Sequence, residues 1–80
     1  MYYAYVLQSA IDGRFYKGHT NNLKKRLIEH NKGKTKSTKG YIPWQLVYFE
    51  TFKTREASIK REHYFKSGIG REFLKDKLQK

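Results

Sequence analysis

The chain has 80 residues, enough for one domain around one small core. It holds no cysteine, which excludes thiol catalysis, cysteine-ligated zinc and a disulfide framework. Eighteen Lys and Arg against seven Asp and Glu leave a formal charge of +11, which suits a polyanionic partner.

No apolar run approaches the roughly 20 residues of a membrane helix, and the first residues show no signal-peptide pattern. The expectation is a single domain over residues 1–80, in the cytoplasm and without a membrane partner. Aromatic residues make up 16%, so the core should be built largely from Tyr and Phe.

Tyr2 to Gln8, aromatic and β-branched without a breaker, predicts a strand, and Asp12-Gly13 predicts the turn after it. Arg14 to Thr20 then returns antiparallel, placing Tyr5 opposite Thr20 and Tyr16 opposite Ser9. Tyr3, Tyr5 and Leu7 share a face with Tyr16, Gly18 and Thr20. Asn21 or Asn22 caps a helix whose buried stripe is Leu23 and Leu27, widened by Ile28. Arg26 and His30, one turn apart, flank that stripe, and the helix should stop near Asn31 with Gly33 beyond its end.

Residues 31–43 alternate lysines with small polar residues and predict a loop of unusual length for a small domain. Trp44 to Phe52 predicts a central strand, with Trp44, Leu46, Tyr48 and Phe52 on one face and Val47 and Phe49 on the other. Glu50 falls near its end as a paired structural acid. Thr54 caps a second helix, with Ser58, Ile59, Glu62, Phe65, Lys66 and Ile69 at helical spacing. Gly68-Ile69-Gly70 should break it, leaving a short last helix from Arg71 to Gln79. The order β-β-α-β-α-α with a leading hairpin predicts an α+β fold.

Glu62 stands within an apolar stripe, where a carboxylate needs a cation, a metal or hydrogen-bond donors. Spacing leaves two roles open: a core salt bridge, with Arg26 as one partner, or a metal ligand. His19, His30 and His63 are too irregularly spaced for a metal site of their own. Tyr5, Tyr16, Arg26, His30 and Glu62 nevertheless form a set suited to phosphodiester chemistry. Such chemistry needs an activated water, a cation on the phosphoryl oxygens and a stabilised leaving group. A single carboxylate suffices for one hydrated Mg²⁺, which keeps several of its waters.

The motifs Y-A-Y at Tyr3 to Tyr5, Y-K-G at Tyr16 to Gly18 and T-x-N-L-x-x-R-L-x-x-H-N from Thr20 resemble the GIY-YIG nuclease superfamily. The later K-S-T-K-G, P-W-x-L-V-Y and K-R-E-x-Y-F-K-S-G-x-G-R-E-F-L resemble its small single-domain bacterial members. The resemblance implies a three-stranded antiparallel sheet flanked by helices and metal-dependent cleavage of DNA, in repair or in processing of branched, damaged or single-stranded forms.

By motif position, the resemblance makes Tyr16 the general base, with Gly18 giving room beside it, and Tyr5 an orienting tyrosine. Arg26 would contact the phosphate, His30 would support the site, and Glu62 would hold a single Mg²⁺ or Mn²⁺ ion. His19 stands where some members have Lys or Tyr, Ser58 where alanine is usual, and no asparagine follows Glu62. Lys24, Lys25, Lys32, Lys34, Lys36 and Lys39 are candidate phosphate contacts, for DNA or for RNA. Without an attached DNA-binding domain, the chain is expected either to be weakly selective or to need a protein partner for targeting. The alternative is a nuclease fold that binds nucleic acid or docks on a protein without cutting.

Overall fold

A computed structural model describes residues 1–79. Three strands form an antiparallel sheet: β1 (Tyr2–Ser9), β2 (Phe15–Thr20) and β3 (Trp44–Phe52), in the spatial order β2-β1-β3. Helix α1 (Leu23–Asn31) follows β2, while α2 (Arg55–Lys66) and α3 (Gly68–Leu78) follow β3. The α+β class and the element order are as the sequence predicts. No helix among the described residues is long and apolar enough to cross a membrane.

The central strand is β1, not β3. Ala4, Tyr5, Val6 and Leu7 are all buried, so β1 alone needs cover on both faces. Its even residues Ala4 and Val6 pack with Phe65 and Leu74 beneath α2 and α3. Its odd residues Tyr5 and Leu7 pack with Trp44, Leu23 and Leu27 on the α1 side. In β3, Gln45, Phe49 and Thr51 are exposed, which fits an edge strand. Ile28, expected to widen the α1 stripe, is 45% exposed.

Pairing in the β1–β2 hairpin sets Tyr5 opposite Gly18 and Leu7 opposite Tyr16, two residues from the predicted register. The turn is longer than a two-residue loop: the Ser9 N–H donates to Arg14 O at 2.9 Å, and Gly13 takes φ 78°. Because side chains alternate with period two, the shift leaves every predicted face intact. Strand β3 behaves differently. Val6 pairs with Tyr48 but Leu7 with Leu46, so Val47 is the extra residue of a bulge. Trp44 and Leu46 stay on the Tyr5 side, while Val47, Tyr48 and Phe52 join the Ala4 side. The predicted single face therefore divides at Val47.

Residues 31–43 are more ordered than their composition suggests. The Asn31 amide donates to Trp44 O at 3.0 Å and accepts from Trp44 N at 2.6 Å, occupying the position of a strand partner. Thr38 is buried, the Trp44 indole donates to Thr38 O at 2.9 Å, and Lys39–Tyr41 make one 3-10 turn. Glu50 is paired as expected, accepting from Arg61 Nε at 2.7 Å and from the Tyr48 hydroxyl at 2.5 Å.

The glycines after α2 do not keep the chain from helix; they start α3. Ser67 closes α2 and caps α3, accepting from Gly70 N at 3.1 Å while donating to Tyr64 O at 2.6 Å. Ile69 consequently leaves the α2 stripe and is 75% exposed. A Cβ on Gly70 would lie 1.6 Å from Tyr64 O, so only glycine allows this corner. Gly70→Ala should cost about 3 kcal/mol of stability, a fall of roughly 12–24 °C in Tm by thermal denaturation. Gly68→Ala, with nothing within 4 Å of its added carbon, should leave Tm unchanged or raise it. Equal Tm values for the two variants would contradict this packing.

Candidate active site

Across β1 and β2, the Tyr5 ring lies over Gly18. A Cβ on residue 18 would stand 2.6 Å from the Tyr5 hydroxyl and 2.7 Å from its Cζ. The room that Gly18 provides beside Tyr16 is occupied by the Tyr5 ring. Tyr16, half-buried two residues away, packs its ring 4.9 Å from that of His30 and 6.3 Å from those of Tyr5 and Trp44.

His30 does not flank the helix stripe; it is fully buried. Its Nε2 lies 3.1 Å from the Tyr5 hydroxyl and its Nδ1 2.8 Å from Thr38 Oγ1. The Thr38 hydroxyl donates onward to Thr35 O at 3.3 Å, so it accepts from His30 Nδ1–H. Nε2 is then the acceptor for the Tyr5 O–H, and these partners assign the tautomer. Burial lowers the His30 pKa to about 4, with the Arg26 charge adding to the effect. Burial pushes the Tyr5 hydroxyl up to about 12 against the pull of Arg26. Both side chains are therefore neutral near pH 7. Arg26, half-exposed at the border of the site, also donates to Glu29 Oε1 at 3.1 Å.

Glu62 approaches from the other face of the sheet. His19 alternates away from Gly18 onto that face, opposite Ala4, and its Nδ1 lies 2.5 Å from Glu62 Oε1. Lys66, one helical turn on, donates to Glu62 Oε2 at 2.6 Å. The sequence named Arg26 as a salt-bridge partner for Glu62; the structure supplies His19 and Lys66 instead. Burial pushes the Glu62 carboxyl up, but the Lys66 and His19 contacts outweigh it and hold the pKa below the usual carboxylate value. The charges of Arg26 and Glu62 both act on the Tyr5 hydroxyl, which links the two faces.

Three contacts escaped sequence reasoning. The pairs Glu62–Lys66 and Arg26–Glu29 stand four and three residues apart on helices, a signal that was available. Thr38 stands in the K-S-T-K-G motif, but nothing in the spacing tied it to His30. Of the candidate phosphate contacts, Lys24, Lys25, Lys32 and Lys34 line one shallow groove along α1 with Glu29 among them. Lys36 and Lys39 are exposed on the following loop.

No three His, Asp or Glu side chains gather in a metal-binding cluster among the described residues. One carboxylate beside one imidazole fits only a mostly hydrated ion of the Mg²⁺ kind. Such an ion would take the place of Lys66, whose side chain is 52% exposed and able to swing away.

The depressed His30 pKa has a consequence for acid stability. In the unfolded chain His30 binds a proton near pH 6.5, but in the fold only near pH 4. The unfolded state thus holds more protons between these values, and stability should fall as pH drops through that window. The Tm of the wild type should decline more steeply from pH 6.5 to 4 than that of His30→Gln. Parallel slopes would show that His30 is not held neutral.

Residues 1–72 match the GIY-YIG catalytic domain. Over 67 residues the chain is 43% identical to a UPF0213 protein of Haloquadratum walsbyi, covering 82% of this chain and 74% of that one. It is 47% identical over 66 residues to a UPF0213 protein of Bacillus licheniformis, covering 81% and 67%. The solution NMR structure of a UPF0213 protein from Bacillus halodurans superposes with a TM-score of 0.56 at 32% identity, covering 95% of this chain and 84% of that one. With its sheet order, its two tyrosine motifs and these matches in agreement, the chain belongs to the GIY-YIG nuclease domain family.

Proposed function

We propose that this chain is a metal-dependent DNA endonuclease that hydrolyses phosphodiester bonds, acting in repair or in processing of branched, damaged or single-stranded DNA. The observation that carries the reading is the division of labour between the two tyrosines. Tyr5 is buried, neutral and committed to His30, so it positions. That leaves Tyr16, half-buried at the same site, to draw the proton from an attacking water. Arg26 holds a phosphoryl oxygen, and His30 fixes the Tyr5 hydroxyl by accepting its hydrogen bond. Glu62, kept ionised, is the side chain to hold Mg²⁺ or Mn²⁺. When bound, the ion supplies charge neutralisation on the phosphate and lowers the pKa of a coordinated water. His19 orients the carboxylate through its 2.5 Å contact.

One observation favours a second reading. Both Glu62 oxygens are already engaged, by His19 and by Lys66, which satisfies the carboxylate without a metal. On that reading the +11 charge and the exposed lysines make a module that binds DNA or RNA, or docks on a protein, without cutting.

Cleavage of plasmid, single-stranded and branched DNA with and without metal separates the two. Glu62→Gln and Tyr16→Phe should each lower the cleavage rate by about 100-fold or more, while DNA affinity in EDTA changes little. Cleavage that survives both substitutions would sink the mechanism. Lys66→Ala removes a cation that competes at Glu62 Oε2, so it should lower the Mg²⁺ concentration for half-maximal activity. An increase instead would mean that Lys66 helps to hold the substrate.

A further inference from the structure

The face of β2 turned towards α2 and α3 continues past the site. Phe15, Lys17 and His19 alternate onto the same side of the sheet, and His19 meets Glu62 there. Four residues of strand separate Phe15 from His19, a distance of about 13 Å. Against the Phe15 end lies a groove of about 390 Å³ between β2 and α3. Phe15, Leu74 and Leu78 line it together with the aliphatic stems of the basic residues Lys17, Arg71 and Lys75, so its surface is almost wholly apolar. Phe15 is 43% exposed, an aromatic face offered to solvent.

Arg71 donates to Lys66 O at 3.3 Å, a neutral acceptor. Among the described residues, neither Lys17 nor Arg71 pairs with a carboxylate; the ion pairs present engage Arg14, His19, Arg26, Arg61 and Lys66. Burial pushes the Lys17 ammonium down, and Arg71 and Lys66 press it further. Crowded cations beside an exposed aromatic ring and an apolar floor complement one kind of unit: an anionic phosphate joined to a flat, stackable base. A purely apolar ligand would leave the cations unused, and a free phosphate would leave the floor unused.

We infer that the β2–α3 groove binds a nucleotide of a single nucleic-acid strand neighbouring the bond that is cut, its base stacked on Phe15 and its phosphate held by Lys17 and Arg71. The placement rests on the nuclease reading, because the strand is taken to run from Glu62 along β2. The alternation of Phe15, Lys17 and His19 supplies that path, with Lys66 beside it. The partner is then a strand with an unpaired base next to the cleavage point, since a base stacked in a duplex cannot lie on Phe15.

Binding of a fluorescent oligothymidylate in EDTA tests the groove apart from cleavage. Lys17→Ala/Arg71→Ala should weaken binding and reduce the slope of log K against log salt by roughly 1.4, at about 0.7 per lost contact. Phe15→Ala should weaken binding about tenfold, and emission of a Phe15→Trp variant should be quenched by the oligonucleotide. Circular dichroism checks that each variant folds, and the double cation variant alone suffices if Phe15→Ala does not.

Unchanged affinity and salt slope in the cation variant would overturn the inference. So would Phe15→Trp emission that responds to decanoate but not to the oligonucleotide, which would assign the groove to apolar anions. Groove binding without cleavage of any substrate refutes the nuclease reading alone. Cleavage with KM unaltered in all the groove variants refutes the groove alone.

Discussion

The Tyr5 ring fills the space where residue 18 would carry a side chain, and much of the site follows from that contact. With the ring over Gly18, its hydroxyl reaches the border of β1, β2 and α1. There it meets His30, which must enter the core to reach it, and His30 in turn needs an acceptor for its second nitrogen. Thr38 supplies it and brings the lysine-rich loop onto the core. A chain of hydrogen bonds thus runs from β1 through α1 to the loop, each bond fixing the protonation of the next.

Glu62 is organised on different terms. It is set from the opposite face of the sheet, on a helix whose far end is fixed by the shared cap at Ser67. The Lys66 ammonium and the contact with His19 Nδ1 offset the cost of burying a carboxylate. They also keep it ionised, which a metal ligand requires and which a structural ion pair equally achieves. The same geometry is therefore compatible with a metal ligand and with a salt bridge. The asymmetry lies in exposure: Lys66 is half in solvent, so one oxygen can be released without opening the core.

Elements whose type is set by local pattern were legible in the sequence. The caps at Asn22 and Thr54, the strand Trp44–Phe52 and the alternation that unites Tyr5, Tyr16 and Gly18 all follow from spacing. Features set by tertiary competition were not. Strand β3 reads as central because both its faces look apolar, but the bulge at Val47 turns successive residues to one side and mimics that pattern. Gly68 and Gly70 read as a breaker, yet close packing against Tyr64 O is what needs a glycine. The family motifs led to Tyr5, Tyr16, Arg26, His30 and Glu62 and ran through Thr38 in K-S-T-K-G, but they carried no sign of the Thr38 bond to His30 or of the partnership between His19 and Glu62.

The Asn31 amide, bonded to both polar groups of the Trp44 backbone, closes residues 32–43 into a loop with pinned ends. A segment anchored in this way is a cassette. Its entropy of closure grows only slowly with length, by about 0.6 kcal/mol for each doubling. Residues inserted between Lys34 and Thr35 would lie outside the Thr35–Thr38 turn and the Thr38 contact with His30, and would not disturb the core. The reach and charge of this arm can therefore vary independently of the site beside it, while the buried hydrogen-bond chain stays the same.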